Sequence, residues 1–378
     1  MKVMLINYEY PPIGGGAGNA TRSIARALYT LGHGATVLTA AYADHTGVQD
    51  DGGVGVHRLN SGRRTADRAN ALEMISFVAV AMNAAPKIAS SSATEVVFVF
   101  FTLPCGPIAL RLHRKMGLPY VVSLRGGDVP GLVPEIAWQH RLLAPLRRRV
   151  LRSATAIVAN DQGLAELSTR ADPFPVSVIA NGVDSVHFAP QLTSRADADP
   201  MCILFVGRFH RQKNLVFLLE QLARLQSELP GAWRLELAGD GEERPALEAC
   251  ARKLGIMDVI VWHGWQEDKA RLRDLYLRAD VLVNPSLYEG MPNVVLEAMA
   301  CALPVIASDV PGNSSLVVPG ESGLLFSLGD GDGFCKALRT LNENRVLARA
   351  MGLQGRRRVT ADFSWEQVAQ KYIALVPK

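Results

Sequence analysis

The sequence predicts an α/β protein of two doubly wound domains, each a parallel sheet with helices on both faces. Three observations carry this. At 378 residues the chain exceeds one small core and suits two domains of ordinary size. Short β-branched runs alternate with longer helical patterns, the signature of βα units. The alternation lapses once, across 189–200 (APQLTSRADADP), where apolar periodicity gives way to Pro, Ser and Asp, and then restarts.

In the first half the expected strands are Val3 to Asn7, Ala35 to Ala40, Val54 to Leu59, Val96 to Phe101, Tyr120 to Leu124, Ala156 to Ala159 and Val176 to Ala180. In the second they are Cys202 to Val206, Arg234 to Ala238, Val259 to Trp262, Val281 to Asn284, Pro304 to Ala307 and Gly323 to Phe326. The expected domains are therefore 1–190 and 201–362, joined by a linker at 191–200. A last helix, Trp365 to Leu375, has no strand of its own, so 363–378 is expected to pack back on the first domain.

Composition excludes several classes. With 48% hydrophobic and 20% charged residues the chain is neither disordered nor a coiled coil. A formal charge of +4 is too small for nucleic-acid binding by bulk charge. Five scattered cysteines with no C-x-x-C pair suggest neither a disulfide framework nor a zinc knuckle, and fit a reducing compartment. The most apolar run, Met74 to Ala85, falls short of the roughly 20 residues of a membrane span. The strand and turn at Lys2 to Pro12 do not read as a signal peptide, so a cytoplasmic protein is expected.

Three stretches could carry chemistry. Gly14-Gly15-Gly16 follows the first strand and opens a helix, where backbone N–H groups can approach an anion. A tight turn would use the same glycines. A dinucleotide fold would want G-x-G-x-x-G and a later acidic residue, which match poorly here. Gly207-Arg208 through Lys213 places cations at a strand end beside a helix N-terminus, fit for a diphosphate or equally for solvent. In Pro285 to Met299, a strand runs through a glycine loop into a helix that Asn293 is expected to cap, with Glu289 in the loop and Glu297 a turn into the helix. Two carboxylates facing one cleft suit a polyhydroxylated ligand; exposed turn and helix residues are the plain alternative.

Together with Asn181-Gly182-Val183-Asp184, Phe188, Pro190 and Pro304 to Ser308, these residues resemble the retaining nucleotide-sugar glycosyltransferases of family 4, which have the GT-B fold. The resemblance runs nearly end to end. It implies acceptor binding by the first domain, donor binding by the second, and catalysis in the cleft between them. Arg208 and Lys213 would neutralise the diphosphate, Glu297 would hold the ribose hydroxyls and Glu289 would meet the donor sugar. The backbone of Gly290, Met291, Pro292, Asn293 and Val294, with that of Gly15 and Gly16, would complete the phosphate and sugar contacts. Gln266, in the loop after another strand, would meet the base. No metal or other cofactor is implied; the nucleotide-diphosphate sugar is a co-substrate, with UDP sugars favoured and GDP-mannose next. Asp330-Gly331-Asp332 lies in a glycine-rich turn and is not taken as a metal site.

Two departures stand out. Where many members carry a His after the strand at Val121 to Leu124, this chain has Leu124-Arg125-Gly126-Gly127-Asp128. Arg125 could supply a fixed charge and Asp128 an acceptor contact or general base; an Arg125 to Asp128 ion pair ordering the loop is the alternative. Ser315 stands where an acid is common. Finally, Ala137 to Arg152 holds Arg141, Arg147, Arg148, Arg149 and Arg152, no acid, and interleaved leucines. It reads as a basic amphipathic helix that could touch anionic lipid near a glycan or lipid-linked acceptor, or as a solvated helix packed by its leucines. The alternatives to a transferase are a sugar-nucleotide epimerase on the same fold and a non-catalytic nucleotide-sugar-binding protein.

Overall fold

The computed structural model describes residues 1–65, 69–191, 200–228 and 233–377. The chain divides into two compact units, Met1–Gly182 with Trp365–Lys378, and Val183–Ser364. The division falls earlier than the expected linker, most of which (192–199) lies outside the described residues. The reason is local. Val183 N donates to the Phe363 carbonyl at 2.7 Å, and Arg356 of the second unit donates to the carbonyl of Phe188 at 3.2 Å. Residues 183–188 are thereby fastened to the second unit.

The first unit holds an eight-stranded sheet: β1 (Lys2–Ile6), β2 (Gly34–Ala40), β3 (Gly47–Asp50), β4 (Gly55–Leu59), β5 (Val96–Phe100), β6 (Tyr120–Ser123), β7 (Ala156–Ala159) and β8 (Ser177–Val178), in the order β3-β4-β2-β1-β5-β6-β7-β8. All pairs are parallel except β3 with β4. The sequence reading omits β3, whose GVQD is short, polar and largely exposed at the sheet edge.

Side-chain alternation along β1 explains the two-layer cover. Val3 and Leu5 join a core with Ile24 and Leu28 of helix Gly16–Thr30 and Val368, Ala369 and Tyr372 of helix Trp365–Ala374. Met4 and Ile6 point to the other face, against Phe77 and Ala81 of helix Ala71–Ser91 and Ile108 and Leu112 of helix Gly106–Met116. Helix Ala71–Ser91 extends the apolar run Met74 to Ala85 at both ends, to 21 residues. An Asn70/Glu73 capping box starts it early, and over its best 18 residues its mean hydropathy is 1.3, so by length and composition it could cross a membrane. Here its Phe77, Ala81, Ala85 and Ala89 recur every fourth residue and are buried on the sheet.

The second unit holds six parallel strands, β9 (Met201–Val206), β10 (Trp233–Ala238), β11 (Ile260–Gly264), β12 (Val281–Asn284), β13 (Val305–Ser308) and β14 (Gly323–Phe326), ordered β11-β10-β9-β12-β13-β14. One face packs Ile203, Phe205, Leu235 and Leu237 under Leu218, Leu222, Leu247 and Phe334.

Candidate functional site

In the second unit the chain runs from β9 outward through β10 and β11, then returns to lay β12 on the other side of β9. Loops leaving the carboxyl ends of β9 and β12 therefore diverge, and in an open α/β sheet that switch point is where ligands bind. Both of the chemistry-bearing stretches of this half leave from it.

The loop after β9 carries Gly207, half-buried Arg208 and a single turn at Arg211–Lys213. It is stitched to the loop after β12: Leu287 N donates to the Gln212 carbonyl and Gln212 Nε2 to the Tyr288 carbonyl, each at 2.8 Å. Lys213 Nζ lies 2.5 Å from Glu289 Oε1, with 17% and 7% of the two side chains exposed. So the structure joins these two expected site residues to each other.

Beneath Glu289 runs a buried polar ladder that the sequence reading missed. The Ser286 hydroxyl lies 2.6 Å from Glu289 Oε1 and 3.0 Å from Asn284 Oδ1, and can donate to either. Asn284 Nδ2 donates to Asn313 Oδ1 at 2.8 Å, Asn313 Nδ2 to the Ser308 carbonyl at 2.9 Å, and Ser308 Oγ to the Ser286 carbonyl at 2.5 Å. All four residues are buried, and a satisfied network at such depth fixes the ends of β12 and β13. Its one sequence signal is polar residues closing apolar strands, VLVN-PS and VIAS. Gly312 completes the packing: a Cβ there would come 2.2 Å from the Gly290 carbonyl oxygen, so only glycine fits. Ser315, in place of an acid, donates to the Gly312 carbonyl of its own turn.

Helix Asn293–Ala300 begins one residue earlier than a cap at Asn293 requires. Pro292 is the cap, extended at φ −77° and ψ 108°, and Asn293 is the first helical residue. Val295 and Leu296 amides return to the Pro292 carbonyl, leaving Asn293 and Val294 at the amide-presenting end, beside half-buried Gly290 and buried Met291. Glu297, further along this helix, accepts from the Tyr276 hydroxyl at 2.9 Å. Burial pushes its carboxyl up to about 7, although the Tyr276 hydrogen bond and the Lys269 charge pull the other way. Glu289 and Glu297 are thus held by separate partners. Gln266 turns back on its strand end, donating to the His263 carbonyl at 2.8 Å. Asp330 caps helix Gly331–Glu343 through the Gly333 amide and Asp332 pairs with Arg224.

In the first unit the corresponding switch point lies between β1 and β5. Gly15 caps helix Gly16–Thr30 with no side chain in the way, and Gly14, at φ +89°, has its missing Cβ position filled by the side chain of Glu9. Here two expectations need correcting. Asp128 is buried and accepts from the amides of Thr102 (2.7 Å), Arg125 (2.9 Å) and Gly126 (3.1 Å), tying the loops after β5 and β6 together. Burial raises its carboxyl while those amides oppose the rise. A carboxylate so spent on backbone is a loop organiser rather than an acceptor contact or base. Nor does it pair with the Arg125 guanidinium, which donates to Asn181 Oδ1 at 2.7 Å, reaches the Tyr372 hydroxyl at 3.3 Å and lies 4.8 Å over the Phe100 ring. Arg125 anchors the last helix.

The stretch Ala137 to Arg152 is also corrected. It forms two helices, Ala137–Leu142 and Ala144–Arg152, because Pro145 starts a new helix and cannot continue the old one. Asp172 binds both Arg147, which is buried, and Arg148, each at 2.6 Å. Arg141, Arg149 and Arg152 remain exposed, together with Leu142 at 71% and Trp138 at 64%, whereas Val150 and Leu151 are buried. The leucines of this stretch are therefore divided between core and surface.

Comparison with known proteins now decides the family. Residues 15–182 match the domain described as "Glycosyl transferase 4-like domain", and residues 200–344 the one described as "Glycosyl transferases group 1". The lipopolysaccharide core biosynthesis glycosyltransferase LpsE of Rhizobium meliloti is 32% identical over 235 residues, 61% of this chain and 67% of LpsE. The chain belongs to the GT-B glycosyltransferases. Two solved structures share the fold over 99% of the chain and 98% of their own. They are sucrose-phosphate synthase from Thermosynechococcus elongatus, at 24% identity and TM-score 0.86, and Anabaena HepE in complex with UDP-glucose, at 20% identity and TM-score 0.77.

Proposed function

We propose that this glycosyltransferase is retaining and moves a hexose or N-acetylhexosamine from a nucleotide-diphosphate sugar to a glycan, lipid-linked or small-molecule acceptor of the cell envelope. The observation that carries the reading is the Lys213–Glu289 pair at the β9/β12 switch point, beside the N-terminus of helix Asn293–Ala300. UDP sugars are the favoured donors and GDP-mannose the next; HepE, whose complex contains UDP-glucose, supports that order.

In this reading the diphosphate draws Lys213 away from Glu289. Arg208, Lys213 and the amides of Gly290, Met291, Asn293 and Val294 meet its charge, and Glu289, freed on one oxygen, accepts from the donor sugar. Glu297 takes the ribose hydroxyls and Gln266 lies toward the base. The bond from anomeric carbon to phosphate oxygen breaks with its electron pair leaving on the diphosphate. The acceptor oxygen bonds the same face of that carbon and passes its proton to the departing phosphate. Preorganised cations and dipoles aimed at the growing charge lower the barrier. Two protein cations do the neutralising, so activity is expected to survive EDTA.

The exposed Arg141, Arg149, Arg152, Trp138 and Leu142 support peripheral docking on anionic lipid at the cytoplasmic membrane face. Co-sedimentation with phosphatidylglycerol vesicles tests it: binding should fall with salt and with R149E/R152E.

A thermal-shift panel of UDP, GDP, ADP and dTDP sugars tests the donor, since a ligand of the folded state raises its melting temperature. Calorimetry with the selected sugar should lose the binding signal in Lys213→Ala and Glu297→Ala. Wild-type affinity in both variants would overturn the site. Conversion of UDP-N-acetylglucosamine without acceptor would favour an epimerase.

A further inference from the structure

The Asn181 to Asp184 and Phe188 pattern is absorbed by none of the roles above. Its second part is built firmly into the second unit. Val183 is bound to Phe363, Phe188 N donates to the Asp184 carbonyl at 2.9 Å, and Arg356 donates to the carbonyls of Ser185, Phe188 and Ala300. The buried Phe188 ring meets Tyr276 edge to face, with centroids 5.8 Å apart and planes at 82°. Tyr276, on helix Lys269–Arg278, is 1% exposed, and its hydroxyl donates to Glu297 Oε2.

We propose that Tyr276, seated by Phe188, is the positioning residue of Glu297: its hydroxyl turns the carboxylate and favours its charged form, the form that accepts two ribose hydroxyls. The inference rests on the assignment of Glu297 to the ribose. The Phe188 ring packs edge to face on the buried Tyr276 ring, whose hydroxyl has Glu297 as its hydrogen-bond partner. Among the described residues, Lys269 and Cys301 bear on Glu297 beside Tyr276, and Arg273 and Arg356 act on Cys301. Lys269 acts from the Tyr276 helix and Cys301 from the end of Glu297's own, and burial pushes the Cys301 thiol up to about 12, so it stays neutral near pH 7. With the Glu297 carboxyl raised to about 7, one donor more or less changes its charge at neutral pH.

Tyr276→Phe removes the hydroxyl and keeps the ring against Phe188. A hydrogen bond to a charged group is worth about one pKa unit or more. UDP and ADP are titrated calorimetrically into wild type, Tyr276→Phe and Glu297→Gln from pH 6 to 9.5. For Tyr276→Phe the midpoint of affinity against pH should move up by about one unit, weakening binding about fivefold at pH 7 and restoring it near pH 9. Superimposable wild-type and Tyr276→Phe profiles would overturn the inference. So would a loss uniform across pH, which marks a packing defect alone. Glu297→Gln should bind weakly with a flat profile. If instead it keeps the affinity and pH dependence of wild type, the ribose assignment itself fails, a result distinct from failure of the Tyr276 step.

Discussion

At the scale of single residues, the second unit holds two carboxylates by named donors, Glu289 by Lys213 and Ser286 and Glu297 by Tyr276. Ser286 shows what such holding contributes. Its hydroxyl reaches Glu289 while its own carbonyl is pinned by Ser308, so Ser286→Ala leaves a buried carboxylate one donor short. A hydrogen bond to a charged group is worth about 1.5 to 3 kcal/mol, so kcat/KM should fall roughly tenfold or more in steady-state assays, with Ser286→Thr recovering part of it. Unchanged kinetics in Ser286→Ala would show that Glu289 keeps its working orientation without the Ser286 hydroxyl. Glu297 carries a signed pH dependence. Its folded-state value of about 7 lies above its ordinary 4.5, so the folded protein holds the extra proton between those values. The associated stability is full below about 4.5 and is lost as pH rises through 7. Wild type should therefore lose melting temperature relative to Glu297→Gln between pH 5 and 7.5. With ribose hydroxyls on Glu297 as proposed, the charged form is favoured, so nucleotide binding should release a proton below pH 7, measurable as heats that vary with buffer ionisation enthalpy.

At the scale of elements, strands and their end-loops were legible and buried polar partnerships were not. Every expected strand exists, because runs such as VMLI and VVFVF are apolar enough to mark a sheet buried on both faces. Edge strand β3 lacks that mark. The basic stretch misled because charge and periodicity say nothing of a distant acid: Asp172 lies 20 residues beyond Arg152 in sequence, yet it engages Arg147 and Arg148. Asp128 misled likewise, since its partners are backbone amides that no pattern of side chains discloses. Gly312 tests how tightly elements meet at the site. Gly312→Ala must push the 289–290 backbone aside, and a site held within about half an ångström tolerates little of that. Donor KM should rise at least several-fold, with a smaller fall in melting temperature; a change confined to stability would place the loop's exact position outside donor binding.

At the scale of the whole chain, the sequence shows two sheets with an orphan helix, and apolar spacing alone cannot say which surface that helix covers. The structure assigns it to the first unit through Val368, Ala369 and Tyr372, which share a core with Val3, Leu5, Ile24 and Phe98. Tyr372 adds polar ties, its hydroxyl lying 2.7 Å from Ser123 Oγ and within reach of Arg125. The unit is thus closed by residues made after the entire second unit, so it cannot be complete as residues 1–182 alone. Exposing a buried Val and Tyr costs about 1.5 to 3 kcal/mol for each side chain. At about 2 to 4 °C per kcal/mol in a domain of this size, a chain ending at Ser364 should lower the first unit's melting by roughly 10 °C or more. The second unit, whose core contains none of these residues, should melt as before. Tyr372→Phe keeps the ring and drops the hydroxyl, and should lower the first unit by only a few degrees. Scanning calorimetry of the three chains separates the outcomes: equal displacement of both transitions, or of neither, would mean that the helix does not complete the first unit's core.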